Sequence, residues 1–464
     1  MRNQKPNFIL MTDSYKMSHK HQYPKGTTKV YSYLESRGGE FDKLVFFGLQ
    51  YYLKNYMEGK VIEPWMIDEA EELAAIHFGN DKIFDRSGWD YIVNELDGKL
   101  PLLIKAVDEG TVVNNKNVLF SIENTDDQCY WLTNMVETLL LKVWYPTTVA
   151  SLSRSCKQTI KTFLDQTSDD SSGLSFKLHD FMYRGVSSEE TSALGAAAHL
   201  INFLGTDTIS GILLARDFYN AGKCCGFSIP ASEHSTITSW TKARELEACE
   251  NILDTYPEGL VACVSDSYDI FACCRDIWGD KLKEKILNRN GTLVIRPDSG
   301  DPVVVLIELL NILGNSFGYT INTKGYKILD PHIRLIWGDG INQHSIKVIL
   351  EAVESNGWST DNIAMGMGGA LGQMVNRDTN KFAIKCSMAI VSGEEVMVYK
   401  DPITDHGKVS KKGRLFLTKD ENGLFKTIEQ GSYNGEKDYL ETVFLNGELT
   451  KEVNFEQIRS NASL

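Results

Sequence analysis

Nowhere in the 464 residues does an apolar run approach the roughly 20 consecutive residues that a bilayer-spanning helix needs. The amino-terminal MRNQKPNFILMTDSYK lacks the apolar core of a secretory leader, and the expected location is the cytoplasm. Basic residues are outnumbered, 48 Lys and Arg against 62 Asp and Glu. The resulting net charge of -14 argues against a broad nucleic-acid or anionic-membrane surface, while leaving room for a local basic pocket. Nine cysteines, among them the neighbours Cys224/Cys225 and Cys273/Cys274, form no paired CxxC pattern. Their odd number reads as free thiols in a reducing compartment. No HExxH, Ser-His-Asp spacing or zinc ligand set occurs, so zinc hydrolysis and acyl transfer find no support.

What is present is enough apolar residue, 42%, for two domains or one large barrel with an appendage. Residues 1–145 read as mixed. Thr28–Glu35 alternates like a half-exposed strand, Phe46–Met57 and Ile67–Phe78 are helix-like, and Pro101–Val107 and Val118–Glu123 are strand-like. Cys129–Trp144, apolar nearly all round, predicts a buried helix. Over 146–384 a unit recurs: short apolar strand, polar or glycine-bearing turn, helix. The strands are expected at Phe176–Leu178, Ile201–Leu204, Gly226–Ile229, Leu260–Val264, Leu293–Ile295, Leu335–Trp337 and Ile363–Met365. Parallel neighbours need helical crossovers, so this repetition points to a parallel α/β barrel or a doubly wound sheet with all the turns on one rim. Residues 385–464 alternate with few helices and carry Asn446-Gly447 as a hairpin signal. They predict an antiparallel sheet sharing an α+β domain with the N-terminal strands.

The stretch GTLVIRPDSGDPVVVLIELLNILG, Gly291–Gly314, carries the densest signal. Arg296, Asp298, Ser299 and Asp301 follow a buried strand, with Asp301-Pro302 as a helix start and Gly314 as its stop. Ligands in such folds bind at the carboxyl ends of strands. Gly366, Gly368 and Gly369, and the capping pattern Ser187-x-x-Glu190 after Arg184-Gly185, offer backbone N–H groups for phosphate, with Arg184, Arg296 and Arg377 close by in sequence. Asp207, Asp266, Asp298, Asp301 and Asp339 each fall just past a strand. Their oxygens suit Mg²⁺ shared with phosphate, sugar hydroxyls or an amide, and Asp301 equally suits plain helix capping. His234 and His179 stand in strand-end turns, where either a catalytic or a structural role is open. Tyr15, Phe181 and Tyr183 could stack a heteroaromatic ring or simply pack.

The motifs TDSYK (12–16), YSYLESR (31–37), KLHDFMYRGVSS (177–188), GTDT (205–208), EHSTITSW (233–240), VSDSYDI (264–270), IRPDSG (295–300), GDG (338–340) and KKGRL (411–415) together resemble the nicotinamide phosphoribosyltransferases, in order and over essentially the whole chain. The resemblance implies a type II phosphoribosyltransferase-like barrel and transfer of 5-phosphoribosyl from phosphoribosyl pyrophosphate to nicotinamide in NAD salvage. It also implies a homodimer with shared active sites. Carried over, Phe181 and the Tyr15 of a second copy would sandwich the pyridine ring and Asp207 would hold its carboxamide. Arg184 and Arg296 would line the ring and phosphate side. Asp298, Gly338 and Asp339 would address ribose and Mg²⁺, and Gly368 and Gly369 the 5′-phosphate, with Arg37 and Arg377 from the second copy. Lys385, Lys400 and Lys408 match basic positions near a pyrophosphate channel, and His234, oriented by Asp266, would be transiently phosphorylated by stimulatory ATP.

Some positions depart from the family pattern. GGEFDK after Arg37 is short, Ala262 stands where a serine is expected, and Met182 and Met367 replace small residues beside key turns. A nicotinate phosphoribosyltransferase is the second reading. An ionised carboxylate would be repelled by Asp207, whereas an amide can donate to it, which favours nicotinamide. A catalytically silent protein of the same fold is the third, and the intact arginine, carboxylate and histidine positions speak against it.

Overall fold

Phe382, Ala383 and Ile384 pair with Ser36, Glu35 and Leu34, so the antiparallel region begins before residue 385. The computed structural model describes residues 6–404 and 409–464. It divides into one unit of Met1–Ser151, Phe218–Asn220 and Asn376–Ser463 and a second of Leu152–Asp217 and Ala221–Val375. The expected limits at 145/146 and 384/385 therefore move. The first division lies within the helix Trp144–Thr167, which no composition change marks. The short return at 218–220 belongs with the antiparallel unit because Tyr219 is wholly buried there, 5.0 Å from the Phe47 ring, with its hydroxyl accepting from the Tyr51 N–H at 3.3 Å.

Among the described residues, the antiparallel unit holds a seven-stranded sheet in the order 394–397, 382–391, 27–36, 118–124, 102–106, 441–445, 448–449. Thr27–Ser36 is rich in β-branched and aromatic residues and lies between two partners. Its last seven residues are all buried, so both faces are covered rather than one, as the alternation suggested. Asn446 and Gly447 take φ of 51° and 85°, the left-handed pair that a two-residue hairpin requires. The single helix expected over 129–144 is broken into Leu132–Met135, Glu137–Leu140 and the turn Leu141–Val143. Two main-chain carbonyls at the break have other partners: Asn134 O accepts from Lys16 Nζ at 3.0 Å and Met135 O from Thr12 Oγ1 at 2.9 Å.

In the second unit five parallel strands run in the order 178–180, 363–367, 333–337, 293–296, 261–264. Parallel bridges add Asp180 to Thr206, Gly205 to Phe227 and Ala231 to Ala262. Three expected strands shift. Ser172–Phe176 is a 3₁₀ turn and the strand starts at Leu178. The run Ile201–Leu204 directly follows the helix Glu189–Leu200, since a short buried apolar run does not reveal its own period. Gly226–Ile229 contributes only the Phe227 bridge. Helix Pro302–Phe317 continues past Gly314 to Gly318 at φ 86°. Gly314 has another duty, because a Cβ there would come within 2.6 Å of the Trp358 ring. The helix after Arg184 is capped by Ser188, accepting from Thr191 N–H at 3.1 Å, not by Ser187. No described helix is long and apolar enough to cross a membrane.

Candidate active site

The rim of the parallel strands is built on a small apolar layer of Ala262, Val294 and Ile336, one residue from each of three adjacent strands, against which Phe181, Ile229 and Ala364 pack. Phe181 leaves the 178–180 strand with its N–H donating to Met367 O at 3.0 Å. Its ring occupies the space a side chain at Gly366 would need: an added Cβ would lie 2.0 Å from Phe181 Cε2. Gly366 is therefore a seat for the ring, which corrects its expected place in a phosphate turn. A Cβ at Gly338 would meet both Phe181 at 3.2 Å and Asp298 Oδ1 at 3.3 Å, so ring and carboxylate are neighbours across that glycine. Ala262 belongs to the layer under the ring, and Met182 and Met367 are fully buried.

The next strand ends bring the polar groups together. Asp266 is nearly buried at 4% side-chain exposure, whereas His234 is 48% exposed. Asp266 Oδ1 lies 3.0 Å from His234 Nε2, and Oδ2 accepts from the Asp298 N–H at 3.1 Å and the Ser299 hydroxyl at 2.5 Å. One carboxylate thus ties the histidine to the Arg296–Asp301 turn. His234 opens the short helix His234–Thr238 behind a Glu233/Thr236 capping box, which fixes its backbone. Arg296 approaches Asp298 at 3.6 Å, and its buried Nε has no hydrogen-bond partner among the described residues. Burial pushes the Asp298 carboxyl up from its ordinary value; Arg296 and His234 oppose this, while Asp266 and Asp339 add to it. Asp339 is exposed beside Gly338, its carbonyl accepting from Trp337 Nε1 at 2.6 Å. Asp301 acts as the helix cap, with Oδ1 accepting from Val303 and Val304 N–H at 3.0 Å each.

Asp207 is exposed and accepts a hydrogen bond from the Ser228 hydroxyl. His179 is pushed down by burial, against the pull of Asp207, so its imidazole is neutral near pH 7. Arg184 lies in the exposed turn Tyr183–Gly185, beside Gly369: a Cβ on Gly185 would meet Gly369 N at 3.1 Å. Gly368 and Gly369 open the short helix Gly369–Gly372. A cavity of about 450 Å³ shares Val294, Ile336 and Ala364 with the layer under Phe181. It extends to Lys177, Leu260 and Asp361, which precede their strands, at the ends away from Asp298. No group of three or more His, Cys, Asp or Glu residues suited to a metal occurs among the described residues. Asp298 and Asp339 are a donor pair at most, hard oxygens of the kind that hold Mg²⁺ together with phosphate and water.

Tyr15, Arg37, Arg377, Lys385 and Lys400 belong to the antiparallel unit. Tyr15 is 57% exposed and meets His19 edge-on at 4.9 Å. The Lys385 ammonium is pushed down by burial and by the nearby cations Arg37, Lys400 and Arg377, with Glu137 opposing. Arg37 Nε is buried without a hydrogen-bond partner among the described residues, and Arg377 pairs with Asp378 at 3.2 Å. Lys408 lies outside the described residues. Sequence reasoning missed Asp180 and Ser228, and named Ser299 without giving it a role. A carboxylate between the singled-out His179 and Phe181 is the signal that marks Asp180; nothing local marks Ser228.

The model of the Nicotinate phosphoribosyltransferase (NAPRTase) family matches residues 176–448, and that of the Nicotinamide phosphoribosyltransferase N-terminal domain matches 7–104. A Xanthomonas campestris pv. campestris protein named Nicotinamide phosphoribosyltransferase is 51% identical over 98% of both chains. A namesake from Acinetobacter baylyi is 31% identical over 96% of this chain and 95% of its own. Among solved structures, the nicotinate-nucleotide pyrophosphorylase of Pyrococcus furiosus aligns with a TM-score of 0.62 at 15% identity, over 100% of this chain and 97% of that one, which speaks to fold. With two family models in register and relatives matched along nearly their full length, this chain belongs to the nicotinate phosphoribosyltransferase family, and to its nicotinamide phosphoribosyltransferase branch.

Proposed function

We propose that this chain transfers the 5-phosphoribosyl group of phosphoribosyl pyrophosphate to nicotinamide, giving nicotinamide mononucleotide and pyrophosphate in NAD salvage, on the rim of a closed, barrel-like ring of parallel strands. The bridges from Asp180 through Thr206, Phe227 and Ala231 to Ala262 support closure of the five-stranded sheet. The observation that carries the reading is the convergence at Asp298: Arg296 at 3.6 Å, Asp266 through the main chain, and His234 and Asp339 in electrostatic reach. The pyridine nitrogen attacks the anomeric carbon with its lone pair as the bond to pyrophosphate breaks and that electron pair leaves with the pyrophosphate. The sugar develops oxocarbenium character on the way, and no strong general base is needed. Phe181 gives the ring a flat face, and Asp207 accepts from the amide, which an ionised nicotinate carboxylate would not supply. Arg184 lies on the ring and phosphate side, and Gly338 keeps the wall open beside Asp298.

Asp298 and Asp339 would hold Mg²⁺, whose charge would balance that of the leaving pyrophosphate. Gly368 and Gly369 offer backbone N–H groups to the 5′-phosphate. The proposed sites are shared between two copies of the chain, Tyr15 stacking on the second face of the ring and Arg37 and Arg377 reaching the phosphate. Lys385, Lys400 and Lys408 would attract pyrophosphate. With Nε2 engaged by Asp266, His234 keeps Nδ1 for a phosphoryl group from ATP, and that transient charge would order the pyrophosphate side of the site. His234→Ala should then abolish ATP stimulation, and stimulation that survives would remove the phosphohistidine. Purified protein with phosphoribosyl pyrophosphate and Mg²⁺ should consume nicotinamide far faster than nicotinate; equal or reversed preference favours the nicotinate reading, and no turnover of either favours a silent protein.

A further inference from the structure

Asp180 is completely buried, yet nothing in the chemistry above uses its carboxylate. Three of its four polar contacts run to the neighbouring segment 205–207 and the fourth to its own turn at Met182. The carboxylate accepts from the Met182 N–H at 2.7 Å and from the Thr206 hydroxyl at 2.8 Å. Its N–H donates to Gly205 O at 3.1 Å, and its carbonyl accepts from the Asp207 N–H at 3.0 Å. The Thr206 hydroxyl, 3% exposed as a residue, accepts in turn from the Thr208 N–H at 2.9 Å. Met182 directly follows Phe181 and Thr206 directly precedes Asp207. The turn that presents the ring face and the turn that presents the amide acceptor are therefore fastened to one side chain.

Burying a carboxylate is unfavourable unless its hydrogen bonds are well placed, and packing alone would be met by an apolar residue of similar volume. Burial does push this carboxyl up, to about 6, while Met182 and Thr206 pull it back. We propose that Asp180, acting with Thr206, is a positioning residue that sets the spacing between the Phe181 ring and the Asp207 carboxylate, and so governs the fit of the aromatic amide without touching it. This rests on the reading of function given above. Apart from Arg184, the residues assigned to phosphoribosyl pyrophosphate lie on other turns, so its binding depends far less on this spacing.

Two substitutions separate positioning from general stability. In Asp180→Asn the carboxamide oxygen still serves the Met182 N–H, but its NH₂ faces the Thr206 hydroxyl, which must turn from donor to acceptor while still accepting from the Thr208 N–H. Thr206→Val removes the hydroxyl at constant shape, and Thr206→Ser keeps it. With the full-length protein, KM for nicotinamide should rise about tenfold in Asp180→Asn and Thr206→Val while KM for phosphoribosyl pyrophosphate stays within about twofold, as expected when one substrate alone is misplaced. Thr206→Ser should restore the ordinary value. The proposal is overturned if folded variants leave KM for nicotinamide unmoved, if both KM values rise together, or if Ser fails to restore what Val removed. Should Asp180→Asn not fold, the two Thr206 variants decide alone. Wild-type turnover of nicotinamide keeps the tests apart: without it the functional reading fails, and with it these variants judge only the positioning role.

Discussion

The ion pairs of the antiparallel unit and the carboxylates of the parallel rim treat charge in opposite ways. In the antiparallel unit, part-buried cations meet partners of opposite sign: Lys411 with Glu35, Arg414 with Glu123 at 2.8 Å, and Lys451 with Asp108 at 2.5 Å and the exposed Glu441 at 2.8 Å. On the parallel rim, Asp266, Asp298 and Asp339 instead share one neighbourhood, where burial first, and then repulsion from the other two carboxylates, holds the Asp298 carboxyl above its ordinary value against Arg296 and His234. The antiparallel unit has a like-charged cluster of its own, Lys385 with Arg37, Lys400 and Arg377. Paired charges serve the fold. Under the proposed function, like charges kept together at a cost in repulsion would receive a ligand of the other sign, Mg²⁺ for the carboxylates and phosphate for the cations.

Breaking the groups of the rim and of the cation cluster should cost activity, and breaking the ion pairs of the antiparallel unit should cost stability. Arg296→Ala and Asp298→Asn should lower kcat/KM by about 10²–10³-fold, the usual effect of removing a group that stabilises developing charge, with no fall in melting temperature. If sites are shared, Tyr15→Ala and Asp298→Asn, each crippled alone, should regain about a quarter of wild-type activity when refolded together, since half of the mixed dimers' sites are intact. Activity that stays absent would place Tyr15 in its own chain's site. Lys385→Met should weaken phosphoribosyl pyrophosphate binding about tenfold while leaving or raising stability, because it relieves like-charge crowding. Glu35→Gln should do the reverse and lower unfolding free energy by roughly 2–3 kcal/mol, since Lys411 is left part-buried without its partner. Both are read by steady-state kinetics beside chemical denaturation.

The smallest effects belong to local devices. Asp301→Ala should lower stability by about 1 kcal/mol through loss of a helix cap. Glu109, wholly buried and accepting from the Gly48 and Gln50 N–H groups, is pushed up by burial to about 7. Its contribution to stability is fully present below its ordinary value near 4.5 and is lost as pH rises toward 7. The stability of wild type relative to Glu109→Gln should therefore fall between pH 5 and pH 8, as measured by denaturant titration, and a flat difference would contradict the raised carboxyl.

What could be read in the sequence was whatever depends on neighbours in the chain. Asp301-Pro302 as a helix start, Asn446-Gly447 as a hairpin and Asp266, Asp298 and Asp339 past their strands are local patterns, and the structure places each where the pattern put it, whereas the strand expected before Asp207 is absent. Contacts between distant residues were not legible. The break at Asn134 and Met135 depends on Lys16 and Thr12, more than a hundred residues away. Gly366 looked like a phosphate turn because nothing local reveals the Phe181 ring over it. Asp180 was passed over beside His179 and Phe181, since only the fold brings Thr206 to its carboxylate.

The most direct test is a crystal structure with nicotinamide mononucleotide bound. The pyridine should lie on Phe181 with its amide at Asp207, the ribose by Asp298 and the phosphate by Gly368 and Gly369. Nucleotide density elsewhere, with the Arg296–Asp298 rim empty, would contradict the account.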